Sequence, residues 1–212
     1  MKSVLLPFLF ALTFTAFGSS SDLIVQKSSA DKPFDVHHNI TGFCRDLSTD
    51  IVNIDVAVHE SKLKVKMKMS QNIISGFGYR EYYFWVGATP SKKVGYQPYN
   101  PHSVAWPDFY ATNRVFLSFN GNQFTGQDKT KLAVQNCLES DCSEDAGMIR
   151  TDEVKYTVNG KFIEFEVPRS VLPLIGSEKN VKFGFTTYYE IAQCNGEDDF
   201  PDWDEKSFNI NL

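Results

Sequence analysis

No stretch of ten or more residues in this sequence repeats its apolar side chains every 3.6 positions. That absence argues against helical bundles and α/β folds. A second long apolar run is also missing. Beyond residues 4–17 nothing approaches the ~20 apolar residues that carry a helix across a bilayer. Basic residues are outnumbered, 21 Lys and Arg against 26 Asp and Glu, and no basic patch accompanies a nucleic-acid motif. Such a surface repels phosphate backbones, so no nucleic-acid partner is expected. There is no G-x-S-x-G elbow and no H-E-x-x-H, which removes the usual serine-hydrolase and zinc-protease machinery. Nor is there a C-x-x-C-H for covalent haem attachment.

What is present begins with "MKSVLLPFLFALTFTAFGSS": a basic start at Lys2, an apolar run from Val4 to Phe17, and the small-x-small pattern Ala16-Phe17-Gly18. This reads as a signal peptide over residues 1–18, with the mature chain starting at Ser19 in the periplasm or outside the cell. Residues 19–35, rich in Ser, Lys and Asp, are expected as a flexible lead-in. Residues 36–212 form one domain, with no membrane span. Export sets the chemistry of Cys44, Cys137, Cys142 and Cys194, because disulfides persist there. Four cysteines allow three pairings. The short spacing of "CLESDC" favours a Cys137–Cys142 clip, leaving Cys44–Cys194 to tie the start of the domain to its end. The sequon Asn39-Ile40-Thr41 accepts glycan only if the source glycosylates exported proteins.

Strand patterning runs through the rest. In "IVNIDVAVHESKLKVKMKMS", Ile54, Val56 and Val58 alternate with polar positions, and Leu63, Val65, Met67 and Met69 alternate with four lysines. Period two in both runs predicts a hairpin with one wet face. "GYREYYFWVGAT" (78–89) reads as an aromatic strand with Trp85 directed to the core. "RVFLSFNGNQF" reads as strand, turn, strand about Asn120-Gly121. "VKYTVNGKFIEFEVP" reads as a hairpin closed by a type I′ turn at Asn159-Gly160. With 181–192 and 207–212 the count reaches about eight strands, and "RSVLPLIG" allows one short helical turn. The expected fold is all-β, a two-sheet antiparallel β-sandwich of jelly-roll or immunoglobulin-like kind.

The stretch "KFIEFEVPRSVLPLIGSEKNVKFGFTTYYE" resembles the late strands of the sandwich superfamily that includes family-nine carbohydrate-binding modules and DOMON domains. Glu164, Val167, Pro168, Leu172, Phe183, Gly184 and Phe185 stand at the matching positions, and "DVAVHESKLKVKMKM" is similar to the opening hairpin. The resemblance implies a β-sandwich that binds either sugar or haem. DOMON-type haem ligation uses Met with His or Lys, for which Met67, Met69, His59 and His102 are the candidates. Trp85, Trp106 and Trp203 do not align with the paired Trp residues of sugar-binding family-nine modules.

The residues themselves point to two candidate regions. "TPSKKVGYQPYNPHSVAWPDFYATNR" (89–114) is an irregular stretch whose prolines exclude regular strand pairing. So long a loop is usually functional when it is ordered. It carries Tyr96, Tyr99, Trp106, Phe109 and Tyr110, rings suited to stacking on the C–H face of a sugar. With Trp203 these are the expected ligand-binding residues, while a lid over one end of the sandwich is the alternative. The second region is "EDDFPDWDE", where six of nine residues are acidic. It reads as a solvated loop, as a structural calcium site built from Asp198, Asp199, Asp202 and Asp204, or as sugar-binding or catalytic carboxylates. The expectation is a secreted, non-catalytic protein that binds a carbohydrate or another small polar ligand, with no firm cofactor. A haem-binding DOMON-like electron carrier and a protein-interaction module are the alternatives, and a glycoside hydrolase stays open.

Overall fold

The computed structural model describes residues 22–32, 37–38, 46–73, 78–88, 99–100, 103–104, 110–121, 128–136, 148–149, 153–172, 174–191, 194–201 and 206–212. Within them the chain is a two-sheet antiparallel β-sandwich. The strands are β1 (Leu23–Ala30), β2 (His37–His38), β3 (Ile51–His59), β4 (Lys62–Met69), β5 (Gly78–Ala88), β6 (Tyr99–Asn100), β7 (Ser103–Val104) and β8 (Tyr110–Gly121). Then come β9 (Asp128–Asn136), β10 (Met148–Ile149), β11 (Lys155–Asn159), β12 (Phe162–Pro168), β13 (Asn180–Ile191), β14 (Cys194–Phe200) and β15 (Phe208–Asn211). Four of the fifteen are two-residue pairings, so eleven longer strands stand where about eight were expected.

The smaller sheet has the order β1-β3-β4-β12-β11. The larger runs β10-β9-β8-β5-β13-β14-β2, with β15 also paired to β13, and β6-β7 is a separate ribbon. Period-two patterning decides which face is buried. Ile54, Val56, Val58, Leu63, Val65 and Met67 of the small sheet are all at most 1% exposed. They pack against Tyr82, Phe84, Val115, Leu117, Phe183 and Phe185 of the large one in a single core. Each fully buried aliphatic or Phe side chain of this kind contributes about 1.5–3 kcal/mol. Phe84 and Phe165 meet across the two sheets edge to face, 5.5 Å between centroids.

Several expectations are corrected. Residues 23–30, assigned to a flexible lead-in, form β1, which pairs along its length with β3; the small sheet needs a partner for the open edge of β3, and the lead-in supplies it. Asn120 and Gly121 lie in the last turns of the β8 ladder opposite Tyr79 and Gly78, not at a hairpin tip. The β11–β12 turn sits one residue later than the Asn-Gly signal suggests. Asn159 pairs with Phe162, leaving Gly160 (φ +58°) and Lys161 as the loop. Glycine at the first loop position suits this backbone because it has no Cβ to clash. Within 89–114, β8 starts at Tyr110 and β6 pairs with β7, although the described strands avoid all four prolines. The short helical turn after Pro168 is present as the 3-10 turn Arg169–Val171 and the four-residue helix Leu174–Ser177.

At one end of the sandwich the core gives way to a buried polar network. Arg80, 3% exposed, donates from Nε to Asp46 Oδ2 at 2.7 Å and to Ser48 Oγ at 3.2 Å. Tyr82 OH donates to the Ser48 carbonyl at 3.1 Å, and the Ile51 backbone N–H donates to Asp198 Oδ2 at 2.6 Å. A buried ion pair is tolerated only when its remaining hydrogen-bonding capacity is met, and here the turn Leu47–Thr49 and the Ser48 side chain help meet it. The network fixes the register of β5 and β14 at the end where their outward residues become interesting.

Candidate functional site

Because Tyr82, Phe84 and Val86 of β5 fill the core, Tyr79, Glu81, Tyr83 and Trp85 point away from it. The antiparallel registers then carry this face across the large sheet in rows. One row reads Ser118, Glu81, Tyr188, Glu197 across β8, β5, β13 and β14. The next reads Phe116, Tyr83, Thr186, Asp199. The third places Gln135 beside Arg114 and Arg114 beside Trp85. Neighbouring strands lie about 4.8 Å apart and alternate residues about 6.8 Å apart. Glu81 and Glu197 are therefore separated by one strand, and Glu197 and Asp199 stand side by side on β14.

The face has a closed half and an open half. In the closed half Trp85 is 6% exposed, Phe116 2% and Gln135 0%, so these outward side chains are covered. Arg114 packs its guanidinium 5.6, 5.2 and 5.1 Å from the ring centroids of Tyr83, Trp85 and Phe116. It also donates to Gln135 Oε1 from Nε at 2.8 Å. Trp85, expected in the core, is buried on the opposite face, since Phe84 takes the core position and alternation leaves Trp85 none.

The open half holds Tyr79, Glu81, Tyr188 and Glu197, all partly buried, with Glu190 exposed at its border. Tyr79 and Tyr188 meet edge to face at 6.2 Å. Tyr79 OH donates to Glu81, and Tyr188 OH donates to Glu190 Oε2 at 3.4 Å. Burial, then the neighbouring Asp199 and Glu81 charges, push the Glu197 carboxyl up to about 8. It is therefore protonated at neutral pH and presents an O–H donor as well as an acceptor. Burial, then the Glu197, Asp199 and Glu81 charges, hold the Tyr83 hydroxyl well above the usual phenol range. Chemically this is a strip of aromatic edges and hydroxyl groups among carboxyl groups.

The residues singled out from the sequence are distributed differently. Asp198 and Asp199 do not converge: alternation turns Asp198 inward to the Ile51 N–H, while Asp199 faces outward and accepts from Thr186 Oγ1 at 2.6 Å. Asp202 and Asp204 lie outside the described residues, as do Tyr96, Trp106, Phe109 and Trp203. Among the described residues no three His, Cys, Asp or Glu side chains gather as metal ligands. Tyr99 sits in β6 opposite Val104, and Tyr110 opens β8 opposite Ala88. Met67 and Met69 are fully buried core residues, and His59, at the far end of β3, contacts Asp22 at 3.3 Å. Cys194 is disulfide-bonded; Cys44, Cys137 and Cys142 lie outside the described residues. Compared with known protein families, characterised proteins and solved structures, the chain matches none.

Proposed function

We propose that the protein binds a carbohydrate on the outer face of the large sheet, over Tyr79, Glu81, Tyr188 and Glu197. The observation that carries this reading is the edge-to-face pair of two partly buried tyrosines beside the Glu197 carboxyl, which is raised to about 8. Sugars offer apolar C–H faces to rings, and hydroxyl groups that both donate and accept. Glu197 with its proton donates and the partly buried Glu81 carboxyl accepts, so this strip matches both halves of that requirement.

Binding to a panel of neutral oligosaccharides, measured by calorimetry, tests the reading. Tyr188→Ala is expected to weaken binding by about tenfold, the loss of ~1.4 kcal/mol. Binding by the wild type should also fall as pH passes 8 and Glu197 loses its proton. A full panel without a binder, or affinity indifferent to both changes, would sink the proposal. Trp106→Ala and Tyr99→Ala in the same assay separate a contribution of the 89–114 segment from that of the sheet.

A further inference from the structure

Where the two sheets meet along one side, a groove of about 370 Å³ opens between the end of β1 and the β14–β15 connection. Its floor is apolar and buried, made by Phe200, Pro201 and Phe208. Lys27, Lys32 and Lys206 line its rim, with Asp31 the one carboxylate among the described lining residues. That carboxylate already accepts the Lys32 backbone N–H at 2.8 Å. In a chain with a net charge of −5, three ammonium groups around one groove are not what composition alone would place there.

The lysines of the small sheet show what neutralised ones look like. Lys62 and Lys64 lie 3.0 to 3.8 Å from Glu164 or Glu166. Lys27 instead donates to the Asn209 carbonyl at 2.8 Å and lies 4.4 Å from the centroid of the Phe208 ring. That leaves it two N–H donors, held at a fixed place on the rim. Among the described residues neither Lys27 nor Lys206 is paired with a carboxylate. A basic rim over an aromatic and proline floor suits a ring that carries an anion.

We propose that this groove binds an acidic sugar residue, its carboxylate or sulfate between Lys27 and Lys206 and its ring over Phe200, Pro201 and Phe208. The inference rests on the carbohydrate reading for the identity of the ring, but it uses other residues and so fails separately. Calorimetry with a galacturonate oligosaccharide, a sulfated galactose oligosaccharide, the uncharged galactose oligosaccharide and inorganic sulfate is the test. Tighter binding of at least one acidic oligosaccharide than of the neutral one and of free sulfate is the expected result, and the two acidic arms identify the anion. Lys27→Gln/Lys206→Gln should lower that affinity about tenfold. Lys62→Gln/Lys64→Gln, on the small sheet, should leave it unchanged. Neutral oligosaccharide bound while both acidic arms show no added affinity overturns the groove and leaves the sheet-face reading standing. Because both groove lysines are exposed, the double variant should melt with the wild type, and a lowered melting temperature is answered by Lys27→Met, which keeps the stem over Phe208. Equal affinity for the neutral sugar or for sulfate alone overturns the proposal. So does binding unchanged in both groove variants, or no binding of either acidic oligosaccharide.

Discussion

The two sheets each turn one face away from the core, and the two faces are built on opposite rules. On the small sheet, Lys64 stands across from Glu166 and Lys66 across from Glu164 and Asp55, Lys62 reaches Glu166 diagonally at 3.0 Å, and Lys66 lies 4.5 Å from the Phe162 ring centroid. Opposite charges meet in water, and burial is slight. On the large sheet, Glu81, Glu197 and Asp199 gather without that alternation, among rings that are partly or wholly covered. Cross-strand ion pairs explain the first face as ordinary surface. On the second, hydroxyl groups meet the carboxyls instead: Tyr79 OH donates to Glu81 and Thr186 Oγ1 to Asp199. Carboxyls held together in partial burial cost stability by desolvation and mutual repulsion, which is what raises Glu197, and groups shifted in this way are enriched at sites of function.

The largest difference should appear when one ring is removed from each face. Phe116, 2% exposed on the large sheet, packs under Arg114. Phe116→Ala is expected to cost about 3–5 kcal/mol in denaturant unfolding. Phe162→Ala, on the wet face of the small sheet, should cost no more than ~1 kcal/mol, mainly its contact with Lys66. Equal losses would mean that the two outer faces are buried alike, and the contrast would fail.

Acidity separates the faces next, with opposite signs. The Glu197 carboxyl is raised to about 8 in the folded protein, above its unfolded value near 4.5. Below the unfolded value both states hold the proton, and its stabilising share is complete. As pH rises toward 8 the unfolded chain releases the proton first, so stability falls through that window and then levels. Glu197→Gln should therefore match the wild type near pH 4 and exceed it at pH 8 in urea titrations. Glu166 runs the other way. The hydrogen bond from Lys62 is the main cause holding its carboxyl below the usual range, so its contribution is present at neutral pH and fades in acid.

Much of the sandwich was legible in the sequence because alternation needs no knowledge of neighbours. Ile54 to Met69 and Ile163 to Val167 announce both their strands and their buried face. The candidate site was half legible. Tyr79, Glu81, Tyr83 and Trp85 visibly share one side of "GYREYYFW", yet which strands flank them does not follow from local pattern. Only the order β8-β5-β13-β14 brings Tyr188 and Glu197 beside Glu81, over more than a hundred residues of sequence. The acidic stretch misled for a related reason. Read as a loop, its aspartates seem free to converge; as strand β14, it sends Asp198 and Asp199 to opposite faces. β1 was missed because Ser and Lys hide an edge strand whose hydrogen bonds are supplied by β3 rather than by its own side chains.

The smallest expected effect tests whether the small sheet's outer face is as ordinary as it looks. Lys62 Nζ lies 3.0 Å from Glu166 Oε2, with Lys64 at 3.8 Å from the same oxygen, and all three side chains are about a third exposed. Solvent at that exposure discounts the pair heavily, so a double-mutant cycle of Lys62→Gln and Glu166→Gln should return only ~0.2–1 kcal/mol at low salt. Screening at ~1 M salt, where the Debye length is ~3 Å, should reduce the coupling toward zero. A coupling that survives such salt would show a desolvated pair, and this face would then resemble its counterpart across the core.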